Sequence, residues 1–252
     1  MKPRVVIDCF PSSVAKYKTG YSVVAIDVIR ATTTAITAVT AGRRCYPVVS
    51  VADALALRDK LGASLLAGEL GGDMPAGFDV NNSPAELSSP DSFFRPVILL
   101  SSSGTQLMCS SSECDSAYVA CFRNYKAVAN ALMAEPKDVA VIGAGSRNEF
   151  REEDQMCCAW IAEELVRAGF EAQNGFTEKI IQRWSGAPPE ACLDGNSAKF
   201  LRRSGQVRDL EFVLQHINDV DQPFVMAGGE VVAGVAQLGR EDETLECAET
   251  AA

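Results

Sequence analysis

The sequence predicts a three-layer α/β/α sandwich whose central sheet is mixed but largely parallel. Three observations support this fold class. Short runs rich in Val and Ile alternate with segments of helical period through the first 170 residues. The runs are continuously apolar, which is typical of strands covered on both faces. With 252 residues, of which 47% are hydrophobic and 22% charged, the chain can also bury the core that such a fold needs.

Seven apolar runs are the predicted strands, and six helices are predicted among them. The strands cover residues 5–8, 22–27, 45–49, 64–68, 97–101, 117–121 and 138–145. The helices cover residues 31–41, 51–61, 84–87, 105–110, 125–134 and 152–168. Ser83 can cap the third helix, because Pro84 then occupies its first turn. In the last helix apolar residues recur at helical spacing, and Gly169 ends it.

The pattern changes after residue 170, where strand and helix no longer alternate. Helices are predicted at 175–184 and 197–217, followed by a hairpin that joins 224–227 to 231–235. These C-terminal helices and the hairpin are expected to pack on the sheet. We expect one α/β domain over residues 1–252, with 170–240 as a C-terminal subregion and 241–252 as an acidic tail.

Charge and composition narrow the classes of function. Asp and Glu outnumber Lys and Arg by 33 to 23, and the net charge of −10 argues against a nucleic-acid partner. We find no run near the roughly 18 apolar residues of a membrane helix and no signal-peptide pattern, so we expect a cytoplasmic protein with no membrane partner. Nine cysteines without a C-x-x-C pair are expected to be reduced, mostly buried thiols. A homodimer is left open.

Polar residues directly follow several predicted strands. In parallel α/β sheets, ligands bind at the C-terminal ends of the strands. Asp27 and Arg30 follow the second strand, and Glu69 follows the fourth. Other residues in equivalent positions are Thr32, Thr33, Thr34, Ser103, Gly104, Thr105, Arg123, Asn124 and Asp154. This inventory suits a small anionic, phosphorylated ligand with a divalent cation such as Mg²⁺, for which Asp27 and Glu69, and then Asp154, are the leading ligands.

Each of these residues also has a structural explanation. A run of threonines is typical of a capped helix start, and Arg30 could pair with a surface carboxylate instead of clamping a phosphate. Spacing excludes some phosphate chemistries, since there is no G-x-x-x-x-G-K-[ST] loop and no cysteine six residues before an arginine. The single histidine, His216, cannot build a multi-histidine metal site. The prediction therefore depends on the convergence of the residues.

Several blocks of the chain resemble the 2-phosphosulfolactate phosphatase family. They are VVAIDVIRATTTAITAVTAG, LLAGELGG, GFDVNNSP, LLSSSGT, VIGAG with the following EED, and SAKFLRRSGQVRDLEF. The R-A-T-T-T and G-F-D-x-x-N-S-P patterns are the most specific, and the match covers nearly the whole chain. Two residues depart from the family pattern: Ser103 stands where the family usually has Asn, and Asn81 replaces a usual Gly. The lost amide at position 103 could change the substrate or weaken activity.

The resemblance implies a Mg²⁺-dependent acid phosphatase that converts 2-phosphosulfolactate to sulfolactate, a step toward coenzyme M. It implies catalytic roles for Asp27, Arg30 and Glu69, and it adds Asn82 and Ser83 to the residues expected to bind substrate. Whether water or a carboxylate attacks the phosphorus is left open. Two alternatives also stay open: an enzyme of the same fold acting on another small phosphate ester, and a non-catalytic anion-binding protein.

Overall fold

A mixed β-sheet with helices on both faces organises the protein, which a computed structural model describes over residues 2–89, 94–135 and 137–234. Within those residues the sheet has ten strands, in the order β4-β5-β3-β10-β9-β6-β2-β7-β1-β8. The strands are β1 (Arg4–Cys9), β2 (Tyr21–Ile26), β3 (Cys45–Val48), β4 (Leu65–Gly68), β5 (Val97–Leu100), β6 (Ser116–Ala120), β7 (Asp138–Gly143), β8 (Glu171–Ala172), β9 (Phe224–Ala227) and β10 (Glu230–Ala233). The predicted fold class is confirmed.

Nine α-helices are described. They are α1 (Ala31–Thr40), α2 (Val51–Leu61), α3 (Pro84–Leu87), α4 (Gly104–Ser111), α5 (Tyr125–Met133), α6 (Glu152–Arg167), α7 (Gly175–Trp184), α8 (Asn196–Arg203) and α9 (Val207–Gln215). Short 3-10 helices lie at Pro11–Lys16 and Pro189–Cys192. None of the described helices is both long enough and apolar enough to cross a bilayer.

The alternating side chains of the strands explain why helices cover both faces. In β2, Val24 and Ile26 contact the cluster formed with α5, α6 and α7, whereas Val23 and Ala25 contact the cluster formed with α1 and α4. All four side chains are fully buried. Because successive side chains of a strand point to opposite faces, a continuously apolar strand requires an apolar layer on each side.

The C-terminal region departs from the prediction in two places. The single helix predicted at 197–217 is two helices, α8 and α9, and Gly205 lies between them with φ +73°. That left-handed conformation suits glycine and ends α8. The predicted hairpin forms, but its strands β9 and β10 lie inside the sheet instead of on it. The acidic tail and the hairpin's last predicted residue, 235, lie outside the described residues.

The inserted hairpin also reverses the direction of the strands on one side of the sheet relative to those on the other. The pairs β6–β9, β9–β10 and β10–β3 are antiparallel, so β3, β5 and β4 run against the β2 group along the hydrogen-bonded order. The strands that Asp27 and Glu69 follow, β2 and β4, therefore run in opposite senses. The segments that follow β2 and β5 nevertheless meet, since a Cβ on Gly104 would lie 2.1 Å from Asp27 Oδ2.

Candidate active site

A cavity of about 350 Å³ lies where the chain leaves β2, β4, β5 and β7, with one face of α8 forming another wall. Six of the predicted site residues line it: Asp27, Arg30, Glu69, Asn82, Ser103 and Asp154. Asp27, Arg30, Glu69 and Ser103 reach it from the ends of β2, β4 and β5, whereas Asn82 lies before α3 and Asp154 lies in the first turn of α6. Strand-end position thus identified the cavity, even though the sheet reverses direction.

Asp27 is a buried acid in the cavity wall whose pKa is raised. Its carboxylate lies against the start of α4, where a Cβ built on Gly104 would come within 2.1 Å of Asp27 Oδ2. Glycine is therefore required at position 104 for this approach. Burial, followed by repulsion from Glu69, raises the pKa of Asp27 to about 7, although the Ala31 amide donates to it. When no cation is bound, such a carboxyl can exchange a proton near neutral pH.

Asp154 joins the chain segments that follow β2 and β7. Its Oδ1 accepts a hydrogen bond from the Val28 amide at 2.9 Å, and its Oδ2 accepts one from the Gly145 amide at 3.4 Å. The residue is buried, and burial together with repulsion from Asp27 raises its pKa well above the usual range of an aspartate. Asp27 and Asp154 are therefore two neighbouring buried acids whose negative charges repel each other.

Glu69 holds the glycine-rich loop after β4 to the serine-rich loop after β5. Its Oε1 accepts from the Ser102 amide at 2.7 Å. Its Oε2 accepts from the Gly72 amide at 2.6 Å and from the Ser102 hydroxyl at 3.0 Å. These contacts fix a carboxylate at the cavity wall and shape the two loops around it.

The donor set fits a hydrated divalent cation better than a closed ligand cage. Among the residues described, no three His, Cys, Asp or Glu side chains converge as metal ligands. Mg²⁺ usually takes one or two protein carboxylates and keeps several water molecules. Asp27 and Asp154 meet that requirement, since a cation between two opposed buried carboxylates would relieve their repulsion. Glu69 lines the same cavity but is already held by the loops.

Arg30 is not the surface arginine of one sequence interpretation, nor is it a free clamp. Its Nη1 donates to Asp209 Oδ2 and to Gln206 Oε1, each at 2.6 Å. Both partners of the Arg30–Asp209 ion pair are only 4% exposed. Asp209 belongs to α9, 179 positions along the chain, so local sequence could not reveal it. The guanidinium still borders the cavity, but the ion pair occupies one side of its fork.

The predicted substrate-binding roles of Thr32, Thr33 and Thr34 require correction. Their hydroxyls donate to backbone carbonyls: Thr32 to Asp27 at 2.8 Å, Thr33 to Val28 at 2.8 Å and Thr34 to Arg30 at 3.0 Å. All three side chains are buried and lie outside the cavity lining. They hold the turn from β2 into α1, which is the structural explanation that the threonine run allowed.

Ser83, Thr105, Arg123 and Asn124 also lie outside the cavity lining. Ser83 caps α3 and donates to Asp209, while Thr105 exchanges hydrogen bonds with the Ser101 backbone. Asn124 accepts from the Cys121 amide at 3.0 Å. Arg123 pairs with Asp219 and donates to Thr37. Each side chain is used locally, because polar residues at strand ends also satisfy the backbone groups of a turn.

Asn82 retains an unused polar atom in the cavity wall. The residue is 2% exposed, and its Oδ1 is buried with no hydrogen-bond partner among the described residues. A buried amide oxygen without a partner is costly, so a ligand or water in the cavity would satisfy it. Ser103, which replaces the family's usual Asn, lines the cavity beside the start of α4.

The predicted site residues do not include a cationic wall of the cavity. This wall consists of Arg147 and Arg151, from the segment after β7, and Arg203, from α8. From α8 they are joined by Asn196, Ser197, Phe200 and Leu201. The only available signal for α8 was the late SAKFLRR block, because nothing local shows that this helix returns to the strand ends.

The fold and the cavity define the class of this protein as an α/β protein with a pocket lined by carboxylates and arginines. The family model for 2-phosphosulpholactate phosphatase matches residues 9–221. A probable 2-phosphosulfolactate phosphatase of Deinococcus radiodurans is 32% identical over 218 residues, which cover 84% of this chain and 91% of that protein. One from Clostridium perfringens is 31% identical over 222 residues, covering 84% and 88%.

A third relative, a probable 2-phosphosulfolactate phosphatase of Carboxydothermus hydrogenoformans, is more similar over a shorter stretch. It is 37% identical over 134 residues, which span 53% of this chain and 56% of that protein. The family model and the two long alignments cover most of the chain. The chain therefore belongs to the 2-phosphosulfolactate phosphatase family, as its sequence blocks indicate.

Proposed function

We propose that this protein hydrolyses 2-phosphosulfolactate to sulfolactate and phosphate in the cavity beside Asp27. The family membership supports the substrate. The observation that carries the proposal is the position of Asp27, a buried carboxyl whose pKa is raised to about 7, at the start of α4. A step toward coenzyme M and a cytoplasmic location are parts of the same proposal, and a homodimer stays a prediction.

The phosphoryl group is proposed to lie against Asp27 and the first turn of α4. Backbone amides at a helix start favour an anion, and a water molecule bound with the ligand would donate to Asn82 Oδ1. Phosphoryl transfer requires positioning, in-line attack and a proton acceptor or donor. Asp27 offers a carboxylate at the position of the phosphoryl group, and Asp154 keeps the Val28 amide of the same turn in place. Whether water or a carboxylate attacks stays open.

Mg²⁺ is part of the proposal, with Asp27 and Asp154 as leading ligands and Glu69 as the third. When bound, the cation would neutralise charge on the phosphoryl oxygens. The support for a cation here is the pair of buried carboxylates that repel each other, each of which has a raised pKa. A divalent cation that fits such a site should also stabilise the fold, because it binds the folded chain only.

Phosphate release in the presence and absence of Mg²⁺ tests this function. We expect the full chain to release phosphate from 2-phosphosulfolactate with Mg²⁺, to lose that activity in EDTA, and to regain it when Mg²⁺ is restored. Phosphate release at an unchanged rate in EDTA would contradict the metal-dependent mechanism. Release from other esters alone would indicate a different substrate, and ligand binding without release from any ester would indicate an anion-binding protein.

A further inference from the structure

The cavity is lined by side chains of both charges. Asp27, Glu69 and Asp154 supply its carboxylate region, and Arg147, Arg151 and Arg203 supply its cationic wall. This cationic wall belongs to a protein with a net charge of −10, so it departs from the overall field. A phosphoryl group and its cation account for the carboxylate region. They leave the cationic wall without a function.

Two of the three arginines in the cationic wall have free charges. In the part of the chain that the structure describes, neither Arg147 nor Arg203 forms an ion pair, whereas the guanidinium of Arg30 is held by Asp209. Arg151 pairs with Glu149, but its Nε is buried and has no described hydrogen-bond partner. The wall therefore offers several N–H donors that the protein itself does not use.

One acidic residue beside these arginines, Glu149, is already neutralised. Glu149 also lines the cavity, and its Oε2 accepts from Arg151 and, at 2.8 Å, from Asn196 Nδ2. Both partners of this carboxylate line the same side of the cavity, so its negative charge is already paired there. Three guanidinium groups and one paired carboxylate give the wall itself a net positive charge.

Packing around the Gly71 and Gly72 loop places two of these arginines on the same side of the cavity. Arg147 Nη2 donates to the Gly71 carbonyl at 3.4 Å. On α8, the ring of Phe200 lies so close to Gly72 that a Cβ there would be 2.3 Å from Phe200 Cζ. Arg203 follows Phe200 by three positions and therefore shares its helix face. Both Arg147 and Arg203 thus border the loop that Glu69 anchors.

Arg147 occupies a backbone position that favours other residues. It forms, with Asn148, the centre of a two-residue turn in which Ser146 and Glu149 exchange backbone hydrogen bonds of 2.9–3.0 Å. The φ angles are +51° at Arg147 and +61° at Asn148, the geometry of a turn that prefers Asn and Gly. A bulky side chain is unfavourable there, so its presence is better explained by what it contacts than by the turn.

We propose that Arg147 and Arg203, with Arg151 Nε, bind the second acidic group of the substrate, the carboxylate or sulfonate that remains after phosphate leaves. This inference rests on the proposed function, and it makes Arg147 and Arg203 specificity-determining residues. Guanidinium groups suit this role, because their planar fork matches the oxygens of both groups. The enzyme would then prefer phosphate esters that carry a second anion over those that do not.

Arg147→Asn tests the cationic wall without disturbing its turn, since Asn is favoured at positive φ. We expect the ratio of kcat/KM for 2-phosphosulfolactate to kcat/KM for phenyl phosphate to fall at least tenfold, mainly through KM, with an unchanged melting temperature. Arg203→Gln should act in the same direction. Asn148→Gly is the matched control, because it alters the neighbouring position of the same turn and keeps the arginine. Its ratio should equal that of the wild type.

Binding of sulfolactate, measured by calorimetry with the same variants, separates this inference from the proposed function. If the wild type hydrolyses neither ester but binds sulfolactate at least tenfold more tightly than Arg147→Asn does, the proposed function fails and the cationic wall stands. If the wild type is active, yet both arginine variants keep its ratio of kcat/KM values and its sulfolactate affinity, the inference that the cationic wall binds the second acidic group is overturned. A failure to bind sulfolactate together with unchanged ratios would also overturn it.

Phospholactate, which has the carboxylate but no sulfonate, assigns the group that the wall binds. If Arg147→Asn lowers kcat/KM for phospholactate as strongly as for 2-phosphosulfolactate, the arginines bind the carboxylate. If only 2-phosphosulfolactate is affected, they bind the sulfonate. Either result supports a second-anion site, and a loss of the same size for phenyl phosphate would contradict it.

Discussion

Asp27→Asn should lower kcat/KM for 2-phosphosulfolactate at least a hundredfold while the protein stays folded. The carboxyl is buried beside the start of α4, where repulsion from Glu69 and Asp154 makes a bound cation favourable. An amide has almost the same shape but holds a cation far less strongly and cannot act as a carboxylate in the reaction. A hundredfold loss corresponds to about 2.7 kcal/mol of transition-state stabilisation. Phosphate release under saturating Mg²⁺ measures it.

Asp73→Asn is the matched control for Asp27. Asp73 is exposed on the loop after β4 and is not in the cavity lining, so its amide variant should keep the wild-type rate. A near-wild-type rate in Asp27→Asn would remove Asp27 from the reaction. A comparable loss in both variants would attribute the effect to overall charge.

Stability measurements on the same Asp27 variant check the origin of the effect. The folded-state pKa of Asp27 is raised above its ordinary value, so between about pH 4 and 7 the folded chain binds more protons than the unfolded chain. The free energy of unfolding should therefore fall as pH rises through this window. Without Mg²⁺, Asp27→Asn should show a weaker decline than the wild type in urea melts at pH 5 and 8. Identical declines would contradict the buried-acid assignment.

Breaking the Arg30–Asp209 ion pair should be the largest stability change available near the cavity. Asp209→Ala leaves a buried guanidinium without its counter-charge, and such a change costs about 3–5 kcal/mol. It also removes the acceptor of the Ser83 hydroxyl, at 2.5 Å, and of the Ala85 amide, at 3.2 Å. Urea unfolding measures the loss. The exposed pair of Lys2 and Glu171 gives the comparison, because Glu171→Gln should hardly change the unfolding curve.

Arg30→Lys separates the two roles of that arginine. A lysine keeps the charge but loses the fork that reaches Asp209, Gln206 and Asn81. We expect its melting temperature and its kcat/KM to fall together, because the residue supports the turn that carries Asp27. A tenfold to thousandfold loss of kcat/KM at an unchanged melting temperature would instead restore the phosphate clamp that the sequence suggested.

Strand-end position predicted the residues whose placement depends on the local chain. Asp27, Glu69 and Ser103 directly follow buried strands, and once the sheet forms there is little freedom in where they lie. That relation holds although β2 and β4 run in opposite senses along the sheet order. The reversal itself could not be predicted, since it depends on β9 and β10 entering the sheet from the far end of the chain.

Side-chain roles were harder to predict than positions. Thr32 and Arg30 lie where expected, but their side chains are used within the protein. The Thr32 hydroxyl donates to the Asp27 carbonyl, and the Arg30 guanidinium pairs with Asp209 of α9. Arg203 was missed for the same reason, because only tertiary packing brings α8 to the cavity. Local sequence constrains which groups reach a site, whereas distant elements decide which of them stay free to bind a ligand.

A crystal structure of the Asp27→Asn variant with 2-phosphosulfolactate and Mg²⁺ tests the central claim most directly. Since this variant should turn over slowly, the intact substrate can be seen. We predict its phosphoryl group beside residue 27 and the start of α4, the cation in contact with Asp154, and a second acidic group facing Arg147 and Arg203. Substrate bound outside this cavity, or inside it with the phosphoryl group at the arginine wall, would contradict the account.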